Sequence, residues 1–299
     1  MTPKQILTLI RPHTLPASAA PVLLGILYAA GHAPRLHAHW VALSVLCVLI
    51  GLSAQALSNV FNDYLDYKQG SDTDKRVGFT RLLTRGEVSQ QSVLRLAAAL
   101  AGVFVLCGVA AVILSRRWWL LSAGILILWA TWAYTSGKKY SIAALGLGEA
   151  AVMLFYGWVA VMVTAYLTGA PVGLKLFCLS TAVGLVVADI MVVNNYRDYE
   201  EDKLSGKRTL VVRLGRPFGL HLYTADFLAA VLLLFPYLNR YSLPALIPYL
   251  WLMLRNRRTM QTHTGRVLNG VLTQTGIGVL LFAAAAAVGL ITQPAHPAC

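Results

Sequence analysis

The sequence predicts an all-α protein, a polytopic membrane bundle of about nine transmembrane helices in two parallel four-helix halves around a central cavity. Three observations lead there. Of 299 residues, 57% are hydrophobic and only 12% are charged, about half the charged share of a soluble protein. Apolar stretches near or above the roughly 20 residues that span a bilayer recur along the whole length. Two short polar runs, beginning at Asn62 and Asn194, interrupt this pattern at equivalent places. In lipid each span must satisfy its own backbone groups, so the spans are helices.

The expected spans lie near 14–31, 40–62, 91–114, 118–135, 142–166, 174–196, 218–236, 241–255 and 269–292. The eighth is the weakest, being short and holding Pro244 and Pro248. The first follows Arg11-Pro12-His13, runs past signal-peptide length and heads a series of similar segments, so it is not a cleavable signal. Residues 3–10 read equally as an interfacial amphipathic turn or a soluble lead-in. Small residues in Ala97 to Gly102 and Ala283 to Gly289 permit close helix approach. No soluble module interrupts the series, and residues 1–299 read as one integral membrane domain.

Lysine and arginine set the orientation. With nine spans, the amino terminus and both polar runs share a side that collects 20 of the 25 basic residues, which places that side in the cytoplasm. The same bias accounts for most of the net charge of +13, so the lipid bilayer is the expected partner and nucleic acid is not. Cys47, Cys107, Cys178 and Cys299 are scattered, without the pairing of a thiolate metal site. His32, His37 and His39 read as a solvated outer loop.

The polar runs carry the chemistry. The first opens Asn62-Asp63-Tyr64-Leu65-Asp66 and continues through Asp72, Asp74, Lys75 and Arg76; the second opens Asn194-Asn195-Tyr196-Arg197-Asp198 and continues through Asp202, Lys207 and Arg208. Asn194, Asp198 and Asp202 sit four residues apart, and Asn62 and Asp66 repeat that spacing, so each set stacks on one helix face. Asp72 comes two residues late, after Gly70, where the helix should end; Asp63 flanks the stack. Together the runs hold eight of the chain's twelve acids, a matching that solvated loops would not show. Carboxylate and amide oxygens suit magnesium, which keeps waters and bridges to substrate phosphates. Lys68, Lys75, Arg76, Arg81 and Arg85 on one loop, with Arg197, Lys207 and Arg208 on the other, supply cations for a diphosphate. A prenyl diphosphate fits both the polar ends and the oily walls.

At these residues the chain resembles the UbiA-type membrane prenyltransferases, and among them those that act on 1,4-dihydroxy-2-naphthoate. Arg11-Pro12-His13-Thr14-Leu15-Pro16, the Asn62-to-Asp72 run, Gly146-Leu147-Gly148-Glu149 and the Asn194-to-Gly215 block carry the resemblance. It covers roughly residues 11–215. The resemblance implies magnesium-dependent transfer of a polyprenyl group from polyprenyl diphosphate to an aromatic acceptor, with loss of carbon dioxide. It implies magnesium at Asn62, Asp63, Asp66, Asp72, Asn194, Asp198 and Asp202. Arg76, Arg81, Lys68, Lys207 and Arg197 would hold the diphosphate, Arg11 and His13 the acceptor carboxylate, and Glu149 would line the acceptor pocket. Asp66, Asp198 and Tyr134 would be catalytic. Arg11 reads equally as a snorkelling anchor, and Tyr64, Tyr134 and Tyr196 equally as interfacial anchors. Two passages depart from the family pattern: Phe79-Thr80 follows Gly78 where the family has proline, and Lys138-Lys139 follow the Tyr134 motif where it tends to Gly-Pro.

Two further acids fall inside spans. Asp189 is neutral or faces the cavity, with the cavity favoured, and Asp226 reads as a buried hydrogen-bonded group. Rival readings keep the chemistry and change the acceptor, to 4-hydroxybenzoate, homogentisate or a haem vinyl group; the Asn-Asn-x-Arg-Asp block favours naphthoate. A CDP-alcohol phosphotransferase would carry Asp-Gly-x-x-Ala-Arg, which the chain lacks. A transporter would place its polar residues at the bilayer midplane, whereas these acids cluster at one face.

Overall fold

A computed structural model describes residues 1–33, 37–70, 81–137 and 140–292. Asp72 and Arg76, and with them Asp74 and Lys75, lie outside the described residues, as do Lys138 and Lys139. Among the described residues the regular elements are helices, with no strand. In chain order they are α1 (Pro3–Ile10), α2 (Pro16–His32), α3 (Trp40–Lys68), α4 (Gln90–Ser115), α5 (Leu120–Ala133), α6 (Gly148–Val152), α7 (Thr164–Thr168), α8 (Leu174–Arg197), α9 (Tyr199–Leu204), α10 (Leu210–Leu214), α11 (Arg216–Leu233), α12 (Ser242–Thr262) and α13 (Leu268–Thr292). A π-helix, Met153–Val163, joins α6 to α7, so Gly148–Thr168 is one continuous span.

Among the described residues six helices are long and apolar enough to cross a membrane, and the bent pair Pro3–Thr14 with Pro16–His32, taken as one span, makes a seventh. The two remaining expected spans do not reach that standard. α5 has 14 residues, about 21 Å at 1.5 Å per residue against a hydrocarbon core of about 30 Å. α12 carries Arg255, Arg257 and Arg258 in its last two turns. Among the described residues, length and composition support six or seven of the nine expected spans.

α1 is a true helix and not a turn. Thr2 and Gln5 form a reciprocal capping box at its start. Its end is Arg11, at φ 51°, a left-handed conformation that few non-glycine residues adopt. The chain bends by 55° between Pro3–Thr14 and α2, and the Arg11 guanidinium lies against Asp63 of α3.

α8 lies at the centre of the bundle: two thirds of its apolar window is buried, against 28% for α3 and 22% for α4. The main core gathers side chains from α2, the π-helix, α8, α11, α12 and α13 around it. α2 therefore shares its core with the second half of the chain, and α13 packs against both α2 and α8. Close approach depends on glycine. A Cβ on Gly184 would stand 2.8 Å from the Met153 carbonyl and 3.0 Å from the Gly157 Cα, and one on Gly157 would stand 2.6 Å from the Ser180 carbonyl. The two glycines let the π-helix lie backbone to backbone on α8.

Substituting Gly184→Val will force these backbones apart and lower thermal stability by about 1–3 kcal/mol, read as the midpoint of aggregation of detergent-solubilised protein. Gly108→Ala on α4, where an added Cβ meets nothing within 4 Å, will leave the midpoint unchanged or raise it slightly.

Candidate active site

Helical spacing sets the first cluster. α3 runs to Lys68 and stops at Gly70, whose φ of +65° ends it, so Asn62 and Asp66 share one face at its last turns. Arg81 crosses that face. Its guanidinium donates to the Asn62 carbonyl at 2.7 Å, pairs with Asp66 at 2.7 Å and reaches Asp63 at 3.4 Å. Arg11 closes on the same Asp63 carboxylate. The Asn62 side-chain oxygen accepts from the Thr135 hydroxyl, and Gln69 donates to the Thr135 carbonyl at 3.3 Å. The end of α3 is thus tied to the turn that follows α5.

The second cluster repeats the plan. α8 ends at Arg197 and α9 begins at Tyr199, yet hydrogen bonding continues across the junction: the Asp198 N–H donates to the Asn194 carbonyl at 3.0 Å, and Asp202 to Asp198 at 2.8 Å. The expected stack survives the bend. Arg197, buried, grips both oxygens of Asp198 at 2.7 Å, the Asn194 side-chain oxygen at 2.7 Å and Asn269 of α13 at 2.9 Å. Lys207 pairs with Asp202 at 2.9 Å. Burial pushes the Asp202 carboxyl above its ordinary pKa, and Lys207 pulls it part of the way back. Each Asn-x-x-x-Asp face is therefore spanned by one buried arginine. Gly146, at φ +79°, lets the loop before α6 reach the second run: the Arg208 N–H donates to the Ala144 carbonyl at 2.7 Å, and a Cβ on Gly146 would meet the Arg208 carbonyl at 2.7 Å.

Both clusters open on one cavity of about 650 Å³. Its wall includes Arg11, His13, Asn62, Asp66, Arg81, Tyr134, Asn194, Arg197, Asp198, Asp202 and Lys207. Beyond them it turns apolar, past Ala54, Phe104, Ile127, Phe155 and Val159, to Val22, Cys47 and Leu167. From Asp66 to Cys47 along α3 this is about 28 Å at 1.5 Å per residue. The cavity crosses most of a bilayer's hydrocarbon thickness.

Three expected site residues stand elsewhere. Asp63 is held between Arg11 and Arg81 and is off the cavity wall. Lys68 is exposed, its ammonium 6.0 Å from the Tyr64 ring centre. Glu149 is buried behind the wall and accepts from the Asn195 amide at 2.8 Å, while Asn195 itself lines the cavity. Asp189, expected to be neutral or to face the cavity, is fully buried off its wall, and neither carboxylate oxygen has a hydrogen-bond partner among the described residues. Tyr196 donates to the Met260 carbonyl at 2.9 Å and anchors α8 to α12.

Sequence reasoning missed Gln55, Asn59 and Tyr156 on the wall. The first two carry a signal that was open to view: Gln55 and Asn59 stand at four-residue spacing with Asp63, in a row one residue over from Asn62 and Asp66 on α3. Tyr156 carries no such mark.

The donors favour a hard cation. Asn62, Asp66, Asn194, Asp198 and Asp202 present oxygen alone, without sulfur or imidazole, the chemistry of magnesium. Among the described residues no three His, Cys, Asp or Glu gather closely enough to hold a metal ion by themselves. Magnesium is commonly bound by one or two carboxylates, with waters and substrate phosphates completing its shell, and that mode suits two facing acid faces.

The model of the UbiA prenyltransferase family matches residues 18–269. Curated relatives agree. A 1,4-dihydroxy-2-naphthoate octaprenyltransferase of Bacillus subtilis is 32% identical over 74% of this chain and 70% of its own length. The protein of that name from Mycobacterium tuberculosis is 34% identical over 94% of each chain. Among solved structures, a UbiA homolog from Archaeoglobus fulgidus bound to DMAPP and Mg2+ superposes with a TM-score of 0.64, at 19% identity, over 97% of this chain and 100% of that one. The chain belongs to the UbiA prenyltransferase family.

Proposed function

We propose that this protein transfers a polyprenyl group from polyprenyl diphosphate to the ring of 1,4-dihydroxy-2-naphthoate, using magnesium. It acts in the bacterial cytoplasmic membrane, with its acid-bearing end toward the cytoplasm. One observation carries the reading. A single cavity presents oxygen donors and cations together at one end, while its far end is apolar, at Val22, Cys47 and Leu167. An amphiphile with an anionic head and a hydrocarbon tail is the ligand that such a cavity excludes least. The relatives named above support the naphthoate acceptor.

Asn62, Asp66, Asn194, Asp198 and Asp202 would hold magnesium, with Asp72 a further candidate. When bound, the metal neutralises charge on the departing pyrophosphate. Arg81, Arg197 and Lys207 bind the phosphate oxygens and are already fixed by the carboxylates they pair with. The apolar length of the cavity orients the tail and keeps water from the allylic carbon. Tyr134 brings an aromatic face to the wall, where an allylic cation is stabilised. In the transfer the carbon–oxygen bond to diphosphate breaks, its electron pair leaving with pyrophosphate. The ring carbon that bears the carboxylate then bonds to the prenyl carbon. Its bond to the carboxylate breaks, the pair restoring the aromatic ring as carbon dioxide departs. Arg11 and His13, at the cavity mouth, hold the acceptor carboxylate.

The test is a prenyl-transfer assay on purified protein in liposomes with magnesium and a polyprenyl diphosphate. 1,4-Dihydroxy-2-naphthoate and 4-hydroxybenzoate are supplied in parallel and products are read by mass. A demethylmenaquinone-type product is expected; product from 4-hydroxybenzoate alone would overturn the acceptor, and none from either would overturn the reaction. Asp66→Ala and Asp198→Ala should each lower kcat/KM by about 10²-fold or more. Arg197→Lys keeps the charge but loses the fork that grips Asp198, and should cost about tenfold. EDTA should abolish turnover, with magnesium in excess restoring it.

A further inference from the structure

A row of polar side chains crosses the cavity about two to three turns deeper along α3 than Asp66, where a prenyl tail needs none. The Tyr156 hydroxyl bonds the Gln55 side-chain oxygen, Gln55 donates to Asn59 at 3.2 Å, and Asn59 donates to the Ile10 carbonyl at 2.9 Å and the Thr14 hydroxyl at 2.8 Å. Thr14 in turn donates to the Arg11 carbonyl at 2.9 Å.

The direction of this chain is fixed from its far end. A backbone carbonyl only accepts, so the Asn59 amide nitrogen must face Ile10, which leaves the Asn59 oxygen to accept from Gln55. Gln55 then offers its oxygen to Tyr156, and Tyr156 must spend its one hydrogen there. What the Tyr156 oxygen has left is acceptor capacity. Tyr134 is the converse. Its hydroxyl lies buried beside Gly148, on the cavity wall, and has no hydrogen-bond partner among the described residues. A buried hydroxyl left so is costly.

Phe155, Val159 and Val163 line the cavity at four-residue steps, as do Tyr156, Ala160 and Thr164. Phe155 to Val163 lie in the π-helix Met153–Val163, so this side of the cavity is a π-helical wall.

Resting on the transfer reaction proposed above, we propose that Tyr156, aimed by Gln55 and Asn59, is the seat of a hydroxyl on the aromatic acceptor, with Tyr134 bonding the acceptor's second polar group. Directionality excludes the other substrate. A prenyl tail has no polar atom and an ionised diphosphate only accepts, whereas a phenol brings the hydrogen that Tyr156 lacks. Accepting that hydrogen raises electron density on the phenolic oxygen and so on the ring that attacks. Gln55 and Asn59 are positioning residues; Tyr156 touches the substrate.

The experiment crosses enzyme variant with acceptor variant. Wild type, Tyr156→Phe and Gln55→Leu are assayed in liposomes with 1,4-dihydroxy-2-naphthoate and with each of its two monomethyl ethers, at saturating prenyl diphosphate, and KM for the diphosphate is measured separately. Wild type should discriminate against one ether by about tenfold or more in kcat/KM, the worth of one hydrogen bond. Tyr156→Phe should raise KM for the parent acceptor about tenfold, erase that discrimination and leave KM for the diphosphate within twofold. Gln55→Leu should move the same way by less, and it carries the test alone if Tyr156→Phe does not fold. Discrimination retained in full by the variants, or equal loss on both substrates, would overturn the seat and mark these residues as helix packing. No naphthoate product from wild type would instead defeat the reaction on which the seat rests.

Discussion

Everything at this site depends on two buried arginines, each laid across an asparagine and an aspartate one helical turn apart. Carboxylates at the ends of membrane helices are expensive to keep ionised. Arg81 and Arg197 make them affordable, at 2.7 Å from Asp66 and Asp198, and planar guanidinium forks do so with a fixed geometry that an ammonium lacks. The pairs also cross-link the fold. Arg197 reaches Asn269 on α13, and Arg81 shares Asp63 with Arg11 at the left-handed turn after α1. Removing one partner leaves an uncompensated buried charge, which is why these pairs concern structure and chemistry together.

Around that constraint the bundle divides its labour. α8 is buried on most sides and carries the second acid face, held at contact distance to the π-helix by Gly157 and Gly184. α3 is more exposed and carries the first, anchored through Asn62 and Gln69 to Thr135, just beyond α5. Between the faces the cavity runs about 28 Å inward, polar at the acids, apolar at Val22, Cys47 and Leu167, with the Tyr156–Gln55–Asn59 row between. Head, acceptor and tail each meet a wall of their own chemistry.

Much of this was legible in the sequence. Apolar length foretold helices, and the four-residue spacing at Asn62–Asp66 and Asn194–Asp198–Asp202 foretold two acid faces on one cavity. Gly70 foretold where α3 stops. Other things were not legible because they are decided by contacts between distant segments. Asp63 looks in sequence like one more ligand, but Arg11 and Arg81 arrive from 52 and 18 residues away to claim it. Lys68 follows the motif closely yet points off the cavity, since two residues past Asp66 is the opposite side of a helix. Glu149 serves through Asn195. Tyr156 has no periodic companion in sequence, and the π-helix that places it shows no residue pattern of its own.

The central claim is that the two acid faces serve one magnesium-bound diphosphate. The direct measurement is the affinity of the purified protein for a non-hydrolysable prenyl diphosphate analogue, with magnesium, in wild type, Asp66→Asn, Asp198→Asn and the double variant. One shared ligand predicts that either change weakens binding strongly and that the double loss falls well short of the sum, because the faces act as a unit. Full additivity, or a loss confined to one face, would contradict it.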